Sequence, residues 1–408
     1  MNLSKNTILV KFELRKLLHI VSIVAITLLF FLVLKSAQKP YLSRSFYFVN
    51  AKGKPDSYPG GLKDSIARET KVQDTYRGPI TVERLKDALA AYKELSENFG
   101  IDGERTWGDE YRFAADVMKQ AFSKPEQRNI YIMNMIDAAD LEHTYTGRIQ
   151  QLMDSMQFAK NRIHNSPKVA ELARRVTVPF YYGGFDMVWD ILRRTLPGII
   201  TYCMLLIIMC SSFVFLKETV LSSCIQLSFP AVLGRKNHAL VKIQALCIFT
   251  TILYFLNVGT YCAILFFRYG AGGGNSAIQI YSFYSLYTGT VMQNIRLYFI
   301  IFYFAALFVS LLTFYISLYV KNIITTVIVT SLAFYSGSAI PEGSFLERAV
   351  FLFPASALNL RSFFIGRPIV YTLFGKPVLF VYLYIPACII MSIILAILIV
   401  RKFETMEL

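Results

Sequence analysis

Six apolar runs, each long enough to cross a hydrocarbon core, are spaced so unevenly that they dictate the layout of this chain. One run lies near the N-terminus and five lie in the second half, with a long hydrophilic stretch, residues 35–194, between them. Runs of about 18 or more apolar residues are read as membrane-spanning helices. On that criterion the spans are Leu17–Leu34, Leu196–Leu216, Ile243–Phe267, Leu297–Val320, Ile323–Ile340 and Val378–Val400. A hydrophobic content of 55% and a mean hydropathy of +0.45 exceed the ~45–50% of soluble domains. The fifth run is short and carries Thr325, Thr326, Thr330, Ser331 and Ser336, so it is expected to face other helices rather than lipid. The first run is too long for a signal-peptide core and lacks a small-residue cleavage site after it, so it is read as a retained span.

The net charge of +15 raises the question of nucleic acid, but its distribution answers it. Acids and bases nearly balance across 35–194, and most of the excess sits in short segments beside the spans, as topology and headgroup contact require. Nucleic acid is therefore not an expected partner, whereas the lipid bilayer is. Lys5, Lys11, Arg15, Lys16, Lys217, Arg235, Lys236, Lys242, Lys321, Arg401 and Lys402 fall on one side of the membrane. Fewer bases (Arg268, Arg296, Arg348, Arg361, Arg367 and Lys376) fall on the other. This favours cytoplasmic termini and an external insert, although counting the bases that flank the insert reverses the sign. Charge alone leaves the orientation open.

The insert reads as mainly helical. One helix is predicted from about Thr81 to Asn98, with Val82, Leu85, Leu89, Tyr92 and Leu95 on one stripe, and another over Asp109–Phe122. A third and longest is predicted over Asn129–Ile163. Its apolar positions Ala138, Leu141, Tyr145, Ile149, Leu152, Met156, Ala159 and Ile163 approximate a heptad seam. The best strand signal is Ser45–Val49. The insert contains no cysteine, since all six (Cys203, Cys210, Cys224, Cys247, Cys262 and Cys388) lie in spans or in the loop after the second. No disulfide framework can support it. Residues 4–18 form a basic amphipathic approach to the first span, expected to lie in the interface. Gly270-Ala-Gly-Gly-Gly-Asn275 reads as a flexible turn, and 341–377 as a re-entrant or interface-lying segment.

Enzyme machinery is missing. The chain has no GxxxxGK[ST], HExxH or GxSxG, and its four histidines (His19, His143, His164 and His238) are scattered. No catalytic, cofactor-binding or metal-binding residues are assigned. The predicted spans hold no internal acid or base, which argues against proton-coupled transport. The loop after the second span, 217–242, is more informative. Glu218 opens what reads as a short amphipathic helix, Pro230 ends it, and Gly234-Arg235 makes a turn before Lys242 opens the next span. Its bland reading is an interfacial helix with snorkelling cations, and its sharper one a rigid element docking on a cytoplasmic partner.

This arrangement, Glu218, a short helix, Ser228-x-Pro230-x-x-x-Gly234-Arg235 and then Lys242, resembles the cytoplasmic coupling segment of ABC-2 type transporter permeases. The approach Glu13-Leu-Arg-Lys16, the pair Phe353-Pro354 before the last span and the closing Arg401-Lys-Phe-Glu-Thr-Met-Glu-Leu408 fit the same pattern. Leu221-Ser222-Ser223 departs from it, standing where the family commonly has a small Gly a turn after the Glu.

The resemblance implies a mainly α fold, a six-transmembrane-helix permease with a mostly helical extracytoplasmic domain. Residues 1–34 would hold the interfacial segment and first span, 35–194 the external domain, and 195–408 the five-span core. That core would include coupling loop 217–242 and external segment 341–377. It further implies a second permease chain, identical or not, and a separate cytoplasmic ATP-binding subunit that carries ATP and Mg. This chain itself would hold no cofactor and would not be an enzyme. Glu218, Pro230, Gly234, Arg235 and Lys242 would then be the ATPase-coupling residues. The expected activity is export of a hydrophobic or amphipathic substrate (peptide, drug or lipid-like molecule) from a bacterial plasma membrane with cytoplasmic termini. The rival is a membrane-anchored sensor, receptor or immunity protein whose external helices bind a ligand without transport.

Overall fold

The computed structural model describes residues 3–42, 47–49, 55–57, 61–122, 132–158, 166–220, 234–320, 322–335 and 370–405. Among these, five helices are long and apolar enough to cross a membrane. The first is α2 (Ile20–Leu42), which follows the juxtamembrane helix α1 (Leu3–Leu17) after a break at Leu18-His19. For chain-order numbering, the insert contributes α3 (Gly61–Thr75), α4 (Val82–Glu110), α5 (Arg112–Phe122), α6 (Ile132–Met135), α7 (Arg148–Phe158) and α8 (Ser166–Arg174). The second span is α9 (Met187–Val220), which begins well before the expected Leu196. The third is α10 (Gly234–Tyr254), continued through a π-helical turn at Phe255–Gly259 into α11 (Thr260–Tyr269). The fourth is α12 (Val291–Ser317), and the last, after the shorter α13 (Ile323–Tyr335), is α14 (Phe380–Glu404).

Five of the six expected spans have a described helix long and apolar enough to cross a membrane. The expected fifth span, Ile323–Ile340, is described only as the 13 residues of α13. At ~1.5 Å per residue this described part covers about 20 Å of a ~30 Å hydrocarbon core, and 336–340 lie outside the described residues. Its expected orientation holds in part, since Thr325 is exposed and Ser331 half-buried. Thr326 and Thr330 are fully buried, while Ile324 and Leu332 are 70% and 66% exposed. These two threonines turn inward, and Thr326 Oγ1 donates to Asn322 O at 2.9 Å at the start of its own helix. The apolar side turns outward, the inverse of a helix in water.

Helices α9 and α12 form the centre, with 61% and 56% of their spans buried, against 22% for α2 and α14. Helix α12 packs on α9, α10, α13 and α14, and a capping box between Thr290 and Gln293 begins it. Pro197 lies inside α9 and Pro386 inside α14. Each removes one backbone donor from a helix that has no water to replace it, a cost that neighbouring helices and hydroxyls offset. Beside the first, Thr201 Oγ1 donates to Pro197 O at 2.9 Å.

The insert is helical, as expected, with three two-stranded antiparallel ladders in the described chain: Tyr47–Val49 with Pro55–Ser57, Gly78–Pro79 with Tyr181–Tyr182, and Val370–Leu373 with Lys376–Leu379. The last begins the 370–377 end of the expected re-entrant segment as a β-hairpin; 341–369 lie outside the described residues. Helix α4 starts where predicted, capped by Thr81, and buries Leu85, Leu89 and Tyr92. It then reverses at Gly100, whose φ of 56° lies in the left-handed region. In a straight helix Ala88 and Trp107 would stand almost 30 Å apart, at ~1.5 Å per residue. Instead the Trp107 indole donates to Ala88 O at 2.7 Å, so α4 is a helical hairpin closed by a buried tryptophan.

The long heptad helix over Asn129–Ile163 is overturned. Its described part breaks into α6, a 3-10 turn at Asp140–His143 and α7. The Asp140 carboxylate accepts from Asp137 N at 3.0 Å, which favours a turn over helix. Gly147 then closes the turn by donating to His143 O at 2.9 Å. Of the proposed seam, Leu141 and Leu152 are buried but Ala138 is exposed. Ala159 and Ile163 lie outside the described residues.

The glycine-rich turn after α11 is not flexible in kind. Trp189 Nε1 donates to Gly272 O at 2.7 Å, Met292 N to Gly274 O at 3.0 Å and Val291 N to Ser276 O at 2.9 Å. A Cβ on Gly273 would stand 2.5 Å from Asp186 Cβ, and one on Gly274 2.8 Å from the Trp189 ring. These glycines let the chain run flush against the start of α9. From there the 270–290 segment reaches the insert: Gln120 exchanges hydrogen bonds with Ile280 O (3.1 Å) and Phe283 N (2.9 Å). The buried Arg148 guanidinium donates to Phe283 O and Ser285 O, each at 2.8 Å, and to Ala173 O at 3.4 Å. Burial lowers its pKa to about 10, which leaves it charged at neutral pH. One continuous apolar core runs from Leu85 and Phe113 in the insert to Leu196 and Phe302 in the bundle.

Candidate functional site

Helix α9 carries Asp190 at its start and Glu218 in its last turn, and two charged clusters lie at the corresponding opposite ends of the bundle. At the end that holds the termini lie the residues singled out from the sequence. Glu218 belongs to the α9 backbone rather than to a separate helix, and Gly234 is the first residue of α10. Pro230 and most of the 217–242 loop, 221–233, lie outside the described residues. Arg235, in the first turn of α10, donates through Nη1 to Glu404 O at 3.3 Å, in the last turn of α14.

Lys242 stands two turns into α10 and is fully buried. Its ammonium donates to Glu13 Oε2 at 3.1 Å, while Lys16 holds Oε1 of the same carboxylate at 2.9 Å. A buried ammonium requires a counter-ion, because removing either partner strands a charge in a low-dielectric interior. Thus α1 is bolted to α10 from inside, while its Ile8 and Phe12 remain exposed. The structure brings together Glu13, Lys242, Arg235 and Glu404, joining α1, α10 and α14 at the point where the 217–242 loop returns to the bundle.

The second cluster lies at the insert-bearing end. Its members are Arg112 and Asp116 on α5, Asp186 just before α9, Asp190, Arg193 and Arg194 on α9, and Tyr281 from the 270–290 segment. Asp190 accepts from Arg112 Nη2, from Arg193 Nη2 at 3.0 Å and from Arg194 Nη2 at 2.7 Å. Asp186 is treated differently. It occupies the N-cap position, where an Asp side chain ordinarily accepts from the first-turn amides. Its carboxylate instead accepts from the Tyr281 hydroxyl through Oδ2, and its buried Oδ1 has no hydrogen-bond partner among the described residues. Burial pushes the Asp186 carboxyl up to about 6, against the opposing pull of Arg112 and the Tyr281 hydrogen bond. Burial likewise raises Asp116 and Tyr281. Burial works against the Arg112 charge, but Asp190 and Asp186 outweigh it and hold its pKa above the ordinary value.

No sequence motif marks this second cluster as a whole. Asp186, Asp190, Arg193 and Arg194, spaced as they are on one helix start, were a usable signal. The contributions of Arg112 and Tyr281, which come from 78 and 95 residues away along the chain, left no local trace. Among the described residues no group of three His, Cys, Asp or Glu side chains could hold a metal ion. The chain matches no protein-family model, and no curated protein or solved structure resembles it at a significant level.

Proposed function

We propose that this multi-pass membrane protein is the permease subunit of an ATP-driven exporter of the ABC-2 type. On this reading it acts in a bacterial plasma membrane with its termini cytoplasmic and its insert outside. A cytoplasmic ATP-binding subunit hydrolyses ATP, and a second permease chain completes the path. The cargo is hydrophobic or amphipathic, a peptide, a drug or a lipid-like molecule. The observation that supports the reading most is the joining of α1, α10 and α14 by Lys242–Glu13 and Arg235–Glu404 at the return of the 217–242 loop. Force applied to that loop would reach three helices at once, because a packed contact, held by the Lys242–Glu13 ion pair and the Arg235 hydrogen bond to the Glu404 carbonyl, transmits displacement rather than absorbing it. Arg235 and Lys242 would then divide the work. Partly exposed Arg235 meets the partner, and buried Lys242 passes the movement inward.

The reading expects an ATP-binding subunit encoded beside this chain, and the test is co-expression of the two. Arg235→Glu is expected to abolish co-purification and stimulated hydrolysis while the permease still folds and inserts. Unchanged association and hydrolysis in that variant would reject the coupling role.

A further inference from the structure

We propose that the contact between Asp186, Tyr281 and the α5 helix is a proton-operated latch, in which protonation of the Asp186 carboxyl tightens the hold of the insert on the start of α9. This goes beyond the transport reading and does not depend on it.

The argument starts from two carboxylates one helical turn apart with opposite surroundings. Asp190 is met by three guanidiniums. Asp186 is 2% exposed, receives one phenol, and keeps a buried oxygen with no donor among the described residues. Placing paired acids in contrasting environments separates their protonation, and the acid without a cation of its own is the one that titrates. Gly273 passes so close to Asp186 that a Cβ on it would stand 2.5 Å from the Asp186 Cβ, so no side chain larger than hydrogen fits between them. An ionised Asp186 therefore leaves a buried acceptor unsatisfied, which is costly in a low-dielectric site. Protonation of that oxygen removes the charge and leaves the Tyr281 hydrogen bond in place.

Every element packed around Asp186 contributes a charged or titratable group. Helix α5 supplies Arg112 and Asp116, with Lys119 beyond them, and α9 supplies Asp190, Arg193 and Arg194. The strand Tyr181–Tyr182 supplies Tyr182, whose hydroxyl donates to Gln73 on α3, with Asp74 beside it. The 270–290 segment supplies Tyr281. Because α5, α9 and this segment meet at one carboxyl, its charge bears on the docking of insert to bundle rather than on one helix alone.

The sign follows from linkage. The docked state holds the Asp186 proton up to about pH 6, above the ordinary 3.8, so it binds protons more tightly than the undocked state. Docking is strongest in acid and weakens as the pH rises through about 6.

The experiment is hydrogen exchange on the full chain in lipid nanodiscs from pH 5 to 7.5, corrected for intrinsic exchange. In the wild type, protection of amides in α5 and in Ile278–Ile280 is expected to fall about tenfold between pH 5 and 7.5. Asp186→Asn, which mimics the protonated acid, is expected to stay protected and lose that dependence. Tyr281→Phe keeps the ring but removes the donor to the ionised form, so it should move the midpoint upward. A flat wild-type profile, or an Asp186→Asn variant with the wild-type profile, overturns the latch. If Asp186→Asn does not fold, Tyr281→Phe decides: an unmoved midpoint refutes the proposal and an upward shift supports it.

Discussion

Lys242 illustrates how a residue can be located from sequence and still be misjudged in its setting. A lysine at the mouth of a span reads as a snorkelling cation. Its ammonium is in fact sealed inside, on Glu13, more than two hundred residues earlier in the chain. Neither residue type nor spacing announces that pairing, because it depends on α1 folding back along α10. The consequence is measurable. Glu13→Gln leaves the Lys242 ammonium without its carboxylate and should cost about 3–5 kcal/mol. Replacing the pair together, as Glu13→Leu with Lys242→Met, should recover most of that loss. Denaturant unfolding of the purified protein in detergent checks both, and additive losses in the double variant would show that the two residues do not act as a pair. Asp186 was equally visible in the sequence, yet what distinguishes it from Asp190 is a phenol supplied by Tyr281.

Elements with strong periodicity were the most legible. The apolar stripe of α4 and the inward Thr326 and Thr330 of α13 are where their sequences place them, since a repeat every third or fourth residue has one helical solution. Periodicity is blind to a single backbone reversal, however. It cannot see that α4 turns at Gly100 or that the supposed heptad helix is cut at Asp140–His143 and Gly147. Gly100 allows a clean test. A Cβ there would meet nothing within 4 Å, yet the φ of 56° disfavours any side chain. Gly100→Ala should therefore destabilise by about 1–3 kcal/mol through conformation alone. Gly108→Ala, in the same helix with equally open space, should instead be neutral or stabilise by up to about 1 kcal/mol. Paired chemical denaturation curves decide it, and equal effects at the two positions would contradict the hairpin.

For the whole molecule, the sequence reading treated insert and bundle as separate parts joined by two spans. They instead share one hydrophobic core, tied by Trp189 to Gly272, Gln120 to the 280–283 backbone and Arg148 to Phe283 and Ser285. The proposed orientation makes a prediction at this scale. In a cysteine-free background, Glu97→Cys should react with a membrane-impermeant maleimide on intact cells, and Lys236→Cys only after permeabilisation. The reverse pattern would place the insert inside. Hydropathy was enough to establish a multi-pass helical membrane protein with one large polar insert, because burying twenty apolar residues away from water is a property of local composition. The amphipathic helices of the insert were legible for the same reason. Which charges meet, where helices reverse, and that a run of glycines is a close-packed seam were decided by tertiary structure alone. Those features depend on groups far apart in the chain that meet only when the whole core forms, and no local pattern records which partner a buried charge will find.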